Sequence, residues 1–505
     1  MGCTSSAPLS GSTDRTMTGT ETERLMKGRV GIDKTERIHN QSGKYYSGQK
    51  NDKSKSLPPP QLNEKGQLTA EEVAKRRSGS VETKDVVLGD VRSEDGVIYA
   101  TYAVMTQRGY HPDMPHKENQ DTYHITPTKF ALGEGDALFA VFDGHGQFGH
   151  ECSAFAETKF PSLLAHHIKK ARVAKNAARM KGNPQKTKEP GAFHPRQWPY
   201  LSVEEYEQCC REACLGCNRA MHEDSKVGDT MSGTTAIAVS FHAGRITITN
   251  VGDSRAILGY RVDSEILPDT PHEEEKKEIG DYSELEEGHK CLVSADGKKL
   301  RAGDLVAIAL SEDQTPYRKD ERARLKNAGA RVCTIDQMDG IEPMHENWGE
   351  LDVDADVIPR VWCGDHNYPG TAFSRSLGDS VAEDVGVNAE PEILTKRVTK
   401  GDEILVIASD GIFEFLTNQR IIDICAQCVD PLHACSRLVE ASYEKWLEQE
   451  TRTDDITCIV LFMSSMIPND IEVMKDLIRQ KHQVMCVEKK MYRESLIPSM
   501  PQDNS

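Results

Sequence analysis

The stretch "FAVFDGHGQFG", residues 139–149, runs four apolar residues straight into Asp-Gly-His-Gly. The apolar run reads as a buried strand. Its end carries a carboxylate, a glycine and an imidazole. Taken alone, such a junction is an ordinary turn. The chain repeats it in "ILVIASDGIFEF", residues 404–415, and places Asp253 after the run "ITITNVG". Asp121 in "KENQDTYHI" and Asp454 in "TRTDDITCIVLF" stand just before strand-like runs instead.

Working outward, the other strand-like runs are "TAIAVSF" (235–241), "RITITNV" (245–251), "EILVIAS" (403–409) and "ITCIVLF" (456–462). Each is short, rich in β-branched or aromatic residues and mostly bounded by Gly, Asp or Asn. The first two form a hairpin turning at His242-Ala243-Gly244. Helical patterns lie between: from Gly149 towards "FPSLLAHHIKK", then "VEEYEQCCREACLGCNRAMHEDS", "ERARLKNAG", "TNQRIIDICAQCV" and "LHACSRLVEASYEKWLEQ". Strand pairs and helix pairs in this mixture predict an α+β fold, a central β-sandwich flanked by helices, without the strict alternation of a Rossmann chain.

At 505 residues the chain exceeds a single ordinary core. Residues 1–95 are rich in Ser, Thr, Gly, Lys and Glu and read as a disordered tether; 96–463 form the patterned body; 464–505 are a tail. Within the tail, Ile471, Met474, Leu477 and Ile478 fall at helical spacing. Two insertions interrupt the body. One, about 166–199, is basic ("KKARVAKNAARMKG") and reads first as a solvated helix with a loop, second as a docking face for an acidic partner or anionic lipid. The other, about 262–300, is acidic and reads as a surface loop. The net charge of -18 argues against nucleic acid as a partner, because phosphate contacts need a basic surface. The cysteines are scattered, without a secretory leader, and predict reduced thiols. Cys214 and Cys217 have zinc-pair spacing but no second pair, and read as apolar helix residues. The start "MGCTSS" fits N-myristoylation at Gly2 with a palmitoyl chain at Cys3. Two acyl chains anchor where one does not. The expected location is therefore the cytoplasmic face of a membrane, plasma or ciliary/flagellar, with a cytoplasmic pool.

Strand ends are rigid, so Asp121, Asp143, Asp253, Asp410 and Asp454 can converge with little ordering cost. Gathered carboxylates repel unless cations neutralise them, and hard Mg²⁺ or Mn²⁺ suits an oxygen cage. Two such ions roughly 3.5–4 Å apart clamp an in-line displacement at phosphorus. His145, beside Asp143, is placed to protonate a departing alkoxide.

At these residues the chain resembles the PPM family, the type 2C metal-dependent protein serine/threonine phosphatases. The matching blocks, in the family's order, are "KENQDTYHI", "FAVFDGHGQFG", "SGTTAIAVSF", "NVGDSRAILG", "LSEDQTP", "RLKNAGARV", "GTAFSRSLGD", "LVIASDGIFEFL" and "DDITCIVLF". The resemblance implies two antiparallel sheets flanked by helices and a dinuclear Mn²⁺/Mg²⁺ site. Asp143 would bridge both ions, Gly144 would offer its carbonyl, Asp410 and Asp454 would complete the cage, and Asp121 would join directly or through water. His145 would be the general acid. A third, weaker metal position maps to Asp253 and Glu414, where family members often have Asp. Gln120 stands where many have Glu. An upstream arginine binds substrate phosphate in the family. Here Arg108 is favoured for its bidentate grip, with Lys117 the rival. The segment from Cys333 to Gly370 is longer than the family's usual flap and resembles plant and protist members. The implied activity is hydrolysis of phosphoserine and phosphothreonine in proteins. One alternative is a pseudophosphatase that binds phosphoproteins without turnover, and another is a metal-dependent phosphatase acting on a small molecule or lipid. Oligomeric state is left open.

Overall fold

The computed structural model describes residues 77–88, 97–181, 200–262, 303–348 and 358–466, apart from 113, 115, 116, 133, 134, 347 and 365. In chain order the elements are β1 (Arg77–Leu88), β2 (Val97–Gln107), β3 (Asp121–Thr126), β4 (Ala137–Gly146), α1 (Gly149–Lys181), α2 (Val203–Glu223), β5 (Ser232–Thr234), β6 (Ala236–His242), β7 (Arg245–Val251) and β8 (Arg255–Arg261). They continue with β9 (Leu305–Ala309), α3 (Lys319–Asn327), β10 (Ala330–Cys333), α4 (Ile335–Met338), β11 (Arg360–Cys363), β12 (Pro369–Thr371), β13 (Leu377–Gly378) and α5 (Ser380–Glu383). The last are β14 (Glu392–Arg397), β15 (Asp402–Ala408), α6 (Asp410–Phe413), α7 (Asn418–Ala426), α8 (Pro431–Gln449) and β16 (Ile456–Met466).

One sheet has the order β1-β2-β16-β15-β8-β9; the other runs β13-β5-β4-β6-β7-β14, with β3 on β4. The strand pairs within both sheets are antiparallel. Between the sheets, Tyr102, Val104, Leu405, Ile407, Ile459 and Leu461 pack with Phe139, Val141, Ile237, Val239, Ile246 and Ile248. The alternate residues of the same strands are buried too. Ile404, Val406 and Val460 face α7 and α8, while Leu138, Ala140 and Phe142 face α1 and α2. Burial on both faces explains why "FAVF" and "ILVIA" are unbroken apolar runs rather than alternating ones.

The hairpin at 242–245 closes with His242 opposite Arg245. Its two turn residues, Ala243 and Gly244, both have positive φ (48° and 73°), as a two-residue hairpin turn requires. Helix α2 begins with a reciprocal capping box between Ser202 and Glu205. Cys209, Cys210, Cys214 and Cys217 are all buried on its sheet-facing side, where burial raises each thiol's pKa, so the Cys214/Cys217 spacing serves packing.

Two boundaries differ from the sequence reading. The segment expected as a tether to residue 95 contains β1, an edge strand paired only with β2, whose Val86 and Leu88 reach the core. Its sequence, "RSGSVETKDVVL", is largely polar, and Lys84 and Asp85 are exposed, as an edge strand allows. The first insertion does not begin at 166, because α1 continues to Lys181 and buries Ile168 and Arg172. The rest of that insertion, most of the acidic one, the helical pattern of the tail, and Gly2 and Cys3 lie outside the described residues. No helix among the described residues is long and apolar enough to cross a membrane.

Arg172 is the informative residue of that helix. Its Nη2 meets Asp136 Oδ2 at 2.7 Å and its Nη1 donates to the Ala131 carbonyl at 2.9 Å, with both side chains buried. Removing one partner of a buried pair strands the other charge. Asp136→Ala is therefore expected to lower stability by about 3–5 kcal/mol in urea unfolding, whereas Asp136→Leu with Arg172→Met recovers most of it. A loss within experimental scatter for the single change would show that the pair is wetter than its burial indicates.

Candidate metal centre

The two sheets end together on one side, and the register brings the aspartates there. Asp121 lies directly opposite Asp143 in the β3–β4 pair, which sets their Cβ atoms roughly 4.5–5.5 Å apart. On the other sheet, the Ser409 N–H donates to the Thr457 carbonyl at 3.0 Å, so Asp410 follows β15 where Asp454 and Asp455 precede β16. The sheets are bridged by Ser409, whose Oγ donates to Asp121 Oδ2 at 2.8 Å. The Asp143 backbone is held by Thr235, through the Thr235 N–H to the Asp143 carbonyl (2.8 Å) and Thr235 Oγ1 with the Asp143 N–H (3.1 Å).

The glycines after Asp143 and Asp410 are required by close packing. A Cβ at Gly144 would fall 2.2 Å from the Gly149 carbonyl oxygen, and one at Gly411 would fall 2.1 Å from that of Asp455. They permit backbone to pack on backbone.

The electrostatics are those of an unneutralised cage. Burial first, and then Asp455, pushes Asp121 up to about 7. Burial, then Asp121, Asp410 and Asp454, raises Asp143 well above the carboxylate range, and it shares a hydrogen bond with Asp410. Asp410 is raised in the same way, by burial and then by Asp454, Asp253 and Glu414. Burial and Asp313 bring Asp253 to about 6; burial and Asp253 bring Glu414 to about 7. Asp454 goes the other way. Burial works against its ionised form, but Lys117 and the Asp455 N–H, which donates to it at 2.8 Å, hold it low. Buried Oδ1 atoms of Asp121 and Asp410 have no hydrogen-bond partner. Hard oxygen donors, mutual repulsion and unsatisfied lone pairs together fit a divalent cation of the Mg²⁺ or Mn²⁺ kind.

The structure thus brings together Asp121, Asp143, Gly144, Asp410 and Asp454, with Asp253 and Glu414 adjoining and His145 at the rim. It separates the two basic candidates. Lys117 Nζ lies 3.6 Å from both Asp454 Oδ1 and Asp455 Oδ2, committed to the carboxylates. Arg108, partly exposed at the end of β2, has no carboxylate partner among the described residues.

Several residues at the site escaped sequence reading. Asp455 accepts from the Gly109 N–H (2.7 Å) and the Gln120 N–H (2.9 Å), stapling the loop after β2 to the start of β16. It follows Asp454 directly, and in an extended segment adjacent side chains face opposite ways. Gln120, noted in the sequence for standing where many members have Glu, holds the catalytic turn. Its Nε2 donates to the Gly146 carbonyl at 2.8 Å, a bond a glutamate could not make. Asp313 grips Arg255 with two bonds (2.8 and 2.6 Å). Asp379 accepts from His145 Nε2 at 2.6 Å.

A second acidic group, Asp320, Glu321 and Glu392, brings oxygens within 4.8 Å of one another. Arg318, Arg324 and Arg375 already pair with it, so it is an ion-pair network rather than a metal cage.

The family model described as Protein phosphatase 2C matches residues 115–278 and 292–450. The chain belongs to the protein phosphatase 2C family. It is 35% identical, over 76% of its length and 91% of the relative's, to probable protein phosphatase 2C 35 of Arabidopsis thaliana. It is 27% identical to probable protein phosphatase 2C 48 of Oryza sativa subsp. japonica, over 69% of this chain and 80% of that one. A serine-threonine phosphatase 2C of Toxoplasma gondii overlays with a TM-score of 0.48 at 16% identity, covering 76% of this chain and 99% of that one. Members of the family are Mg²⁺/Mn²⁺-dependent protein serine/threonine phosphatases, and this phosphatase carries the acidic cluster such an ion needs.

The raised carboxylates give the metal-free protein a pH signature. Asp121, Asp253 and Glu414 titrate near 4 when unfolded but at about 7, 6 and 7 when folded. Between those values the folded state holds more protons, so stability falls as pH rises from about 4 to 7. His222, raised to about 10 by hydrogen bonds to Asp229 and Glu383, adds a fall of the same sign from about 6.5 upward, which no divalent ion relieves. Mg²⁺ is therefore expected to raise Tm more at pH 8 than at pH 5.5, where protons compete for the same oxygens. An equal gain at both pH values in thermal melts would contradict the assignment of the cage.

Proposed function

We propose that this phosphatase hydrolyses phosphoserine and phosphothreonine in proteins at a dinuclear Mn²⁺/Mg²⁺ site held by Asp143, the Gly144 carbonyl, Asp410, Asp454 and Asp121. Asp253 and Glu414 offer a weaker third position. The observation that carries this reading is the meeting of Asp121 and Asp143 from one sheet with Asp410 and Asp454 from the other, at a turn that also presents His145. When bound, the ions neutralise the cage and lower the pKa of water.

The remaining work falls to the chain itself. Arg108, unpaired among the described residues, is free to grip the substrate phosphate from the rim, whereas Lys117 balances the carboxylates. His145 delivers a proton to the serine or threonine oxygen as the ester bond breaks. The meeting of the carboxylates with His145 beside them supports turnover over a binding-only role.

We also place the enzyme at the cytoplasmic face of a membrane through acyl chains on Gly2 and Cys3, supported by the Gly2…Ser6 pattern. Intact-mass measurement of native protein is expected to show a myristoyl adduct, and an unmodified Gly2 would remove the anchor.

The direct test is phosphate release from a phosphothreonine peptide, with and without Mn²⁺, at okadaic acid doses that silence other phosphatase classes. Activity is expected only with the metal, and Asp143→Asn or Asp410→Asn should lower kcat by more than roughly 100-fold. Arg108→Ala should raise KM by about 10–100-fold with kcat less affected. Lys117→Ala should instead alter the Mn²⁺ requirement. A KM effect confined to the Lys117 variant would reverse these roles, and metal-independent turnover would overturn the reading.

A further inference from the structure

The block "GTAFSRSLGD" has no part in the metal cage, yet it reaches the catalytic turn twice. Asp379 Oδ2 lies 2.6 Å from His145 Nε2, and its side chain is only 3% exposed. The Phe373 ring lies against the imidazole with centroids 4.2 Å apart. Among the described residues, His145 Nδ1 has no hydrogen-bond partner.

The carboxylate is held from several directions. Asp379 has φ 53° and ψ 46°, the left-handed region that few residues other than glycine enter. Strained backbone of this kind persists only when its surroundings over-determine it. Here the Asp379 N–H donates to the Ser232 carbonyl (2.9 Å) and the Ser380 N–H to that of Asp229 (3.1 Å). The preceding Gly378 N–H donates to Asn218 Oδ1 at 2.8 Å. Asn218 Nδ2 donates to Glu383 Oε1 at 2.7 Å, and His222 joins Glu383 to Asp229. Phe373 is fixed separately, in the core of the small β10-β11-β12 sheet with Leu325, Val332 and Val361.

We propose that Asp379 is a positioning residue that engages His145 through Nε2 and leaves Nδ1 as the nitrogen that protonates the leaving alkoxide, with Phe373 bracing the ring. The inference rests on the reading of His145 as general acid and specifies how that acid is aimed. As water attacks phosphorus and the P–O ester bond breaks, the alkoxide takes the Nδ1 proton. The ring is left neutral with its Nε2–H still on Asp379. The proton that the attacking water releases to solvent is replaced at Nδ1 before the next turnover. A carboxylate on the far nitrogen fixes both the orientation and the tautomer of an imidazole in this way in other hydrolases.

The wild-type enzyme loaded with Mg²⁺ provides the first test. Long-range ¹H–¹⁵N correlation spectra, with the His145 signals assigned by their loss in His145→Gln, should show the neutral ring protonated at Nε2. A ring protonated at Nδ1 would overturn the proposal, and this readout requires no variant of Asp379 to fold. The second test compares leaving groups in Asp379→Asn, after thermal melts and Mn²⁺ calorimetry. Its kcat on a phosphothreonine peptide should fall by about 100-fold, while p-nitrophenyl phosphate, whose leaving group needs no proton, should lose under about 3-fold. His145→Gln should give the same pattern. Equal losses on both substrates, or none on the peptide, would overturn the role of Asp379. If His145→Gln itself shows no such substrate dependence, the general-acid reading fails instead, while the tautomer still decides which nitrogen Asp379 holds.

Discussion

Repulsion among buried carboxylates is the constraint on which this structure turns. Asp121, Asp143 and Asp410 are held where burial and the charge of neighbouring carboxylates oppose ionisation. Each could relax by swinging apart, and the fold does not let them. The strands that end at Asp143 and Asp410, β4 and β15, are buried on both faces, and Asp121 is tied in register to β4, so moving either strand end would disturb two cores at once. The rigidity of the sandwich thereby keeps an unfavourable charge arrangement ready for a cation.

The loops around the cage are secured by polar bonds of long reach. Asp455 ties Gly109 and Gln120 to the start of β16, and Gln120 in turn ties the turn at Gly146. Elsewhere, Glu321 joins α3 to Arg375 and Ser374. Arg318 and Arg375 both reach Glu392 on β14. That network anchors the small three-stranded sheet to the sandwich beside the segment carrying Phe373 and Asp379. The placement of His145 is therefore coupled to the packing of a substructure that contributes no ligand to the cage.

Much of this was legible in the sequence because two-sided burial writes itself as unbroken apolar runs, and because an aspartate repeated at their ends is conspicuous. The hairpin at Ala243-Gly244 was legible for a similar reason, since its turn needs positive φ. What stayed hidden has physical causes. Strand β1 is an edge and can afford polar residues, so no period marks it. The continuation of α1 past residue 166 was hidden by a basic composition in which the buried cation Arg172 is matched by Asp136, 36 positions earlier in the chain. Asp379 meets His145 across 234 positions, a pairing that only folding reveals. The committed role of Lys117, and hence the freedom of Arg108, likewise depends on where the loop after β2 lands.

The central claim is that these carboxylates exist as a cage for divalent ions. Anomalous diffraction from crystals of the phosphatase soaked in Mn²⁺ at pH 8 tests it most directly. The account predicts manganese peaks in contact with Asp143 and with Asp410 and Asp454. Peaks absent there, or found only at Asp320, Glu321 and Glu392, would contradict it.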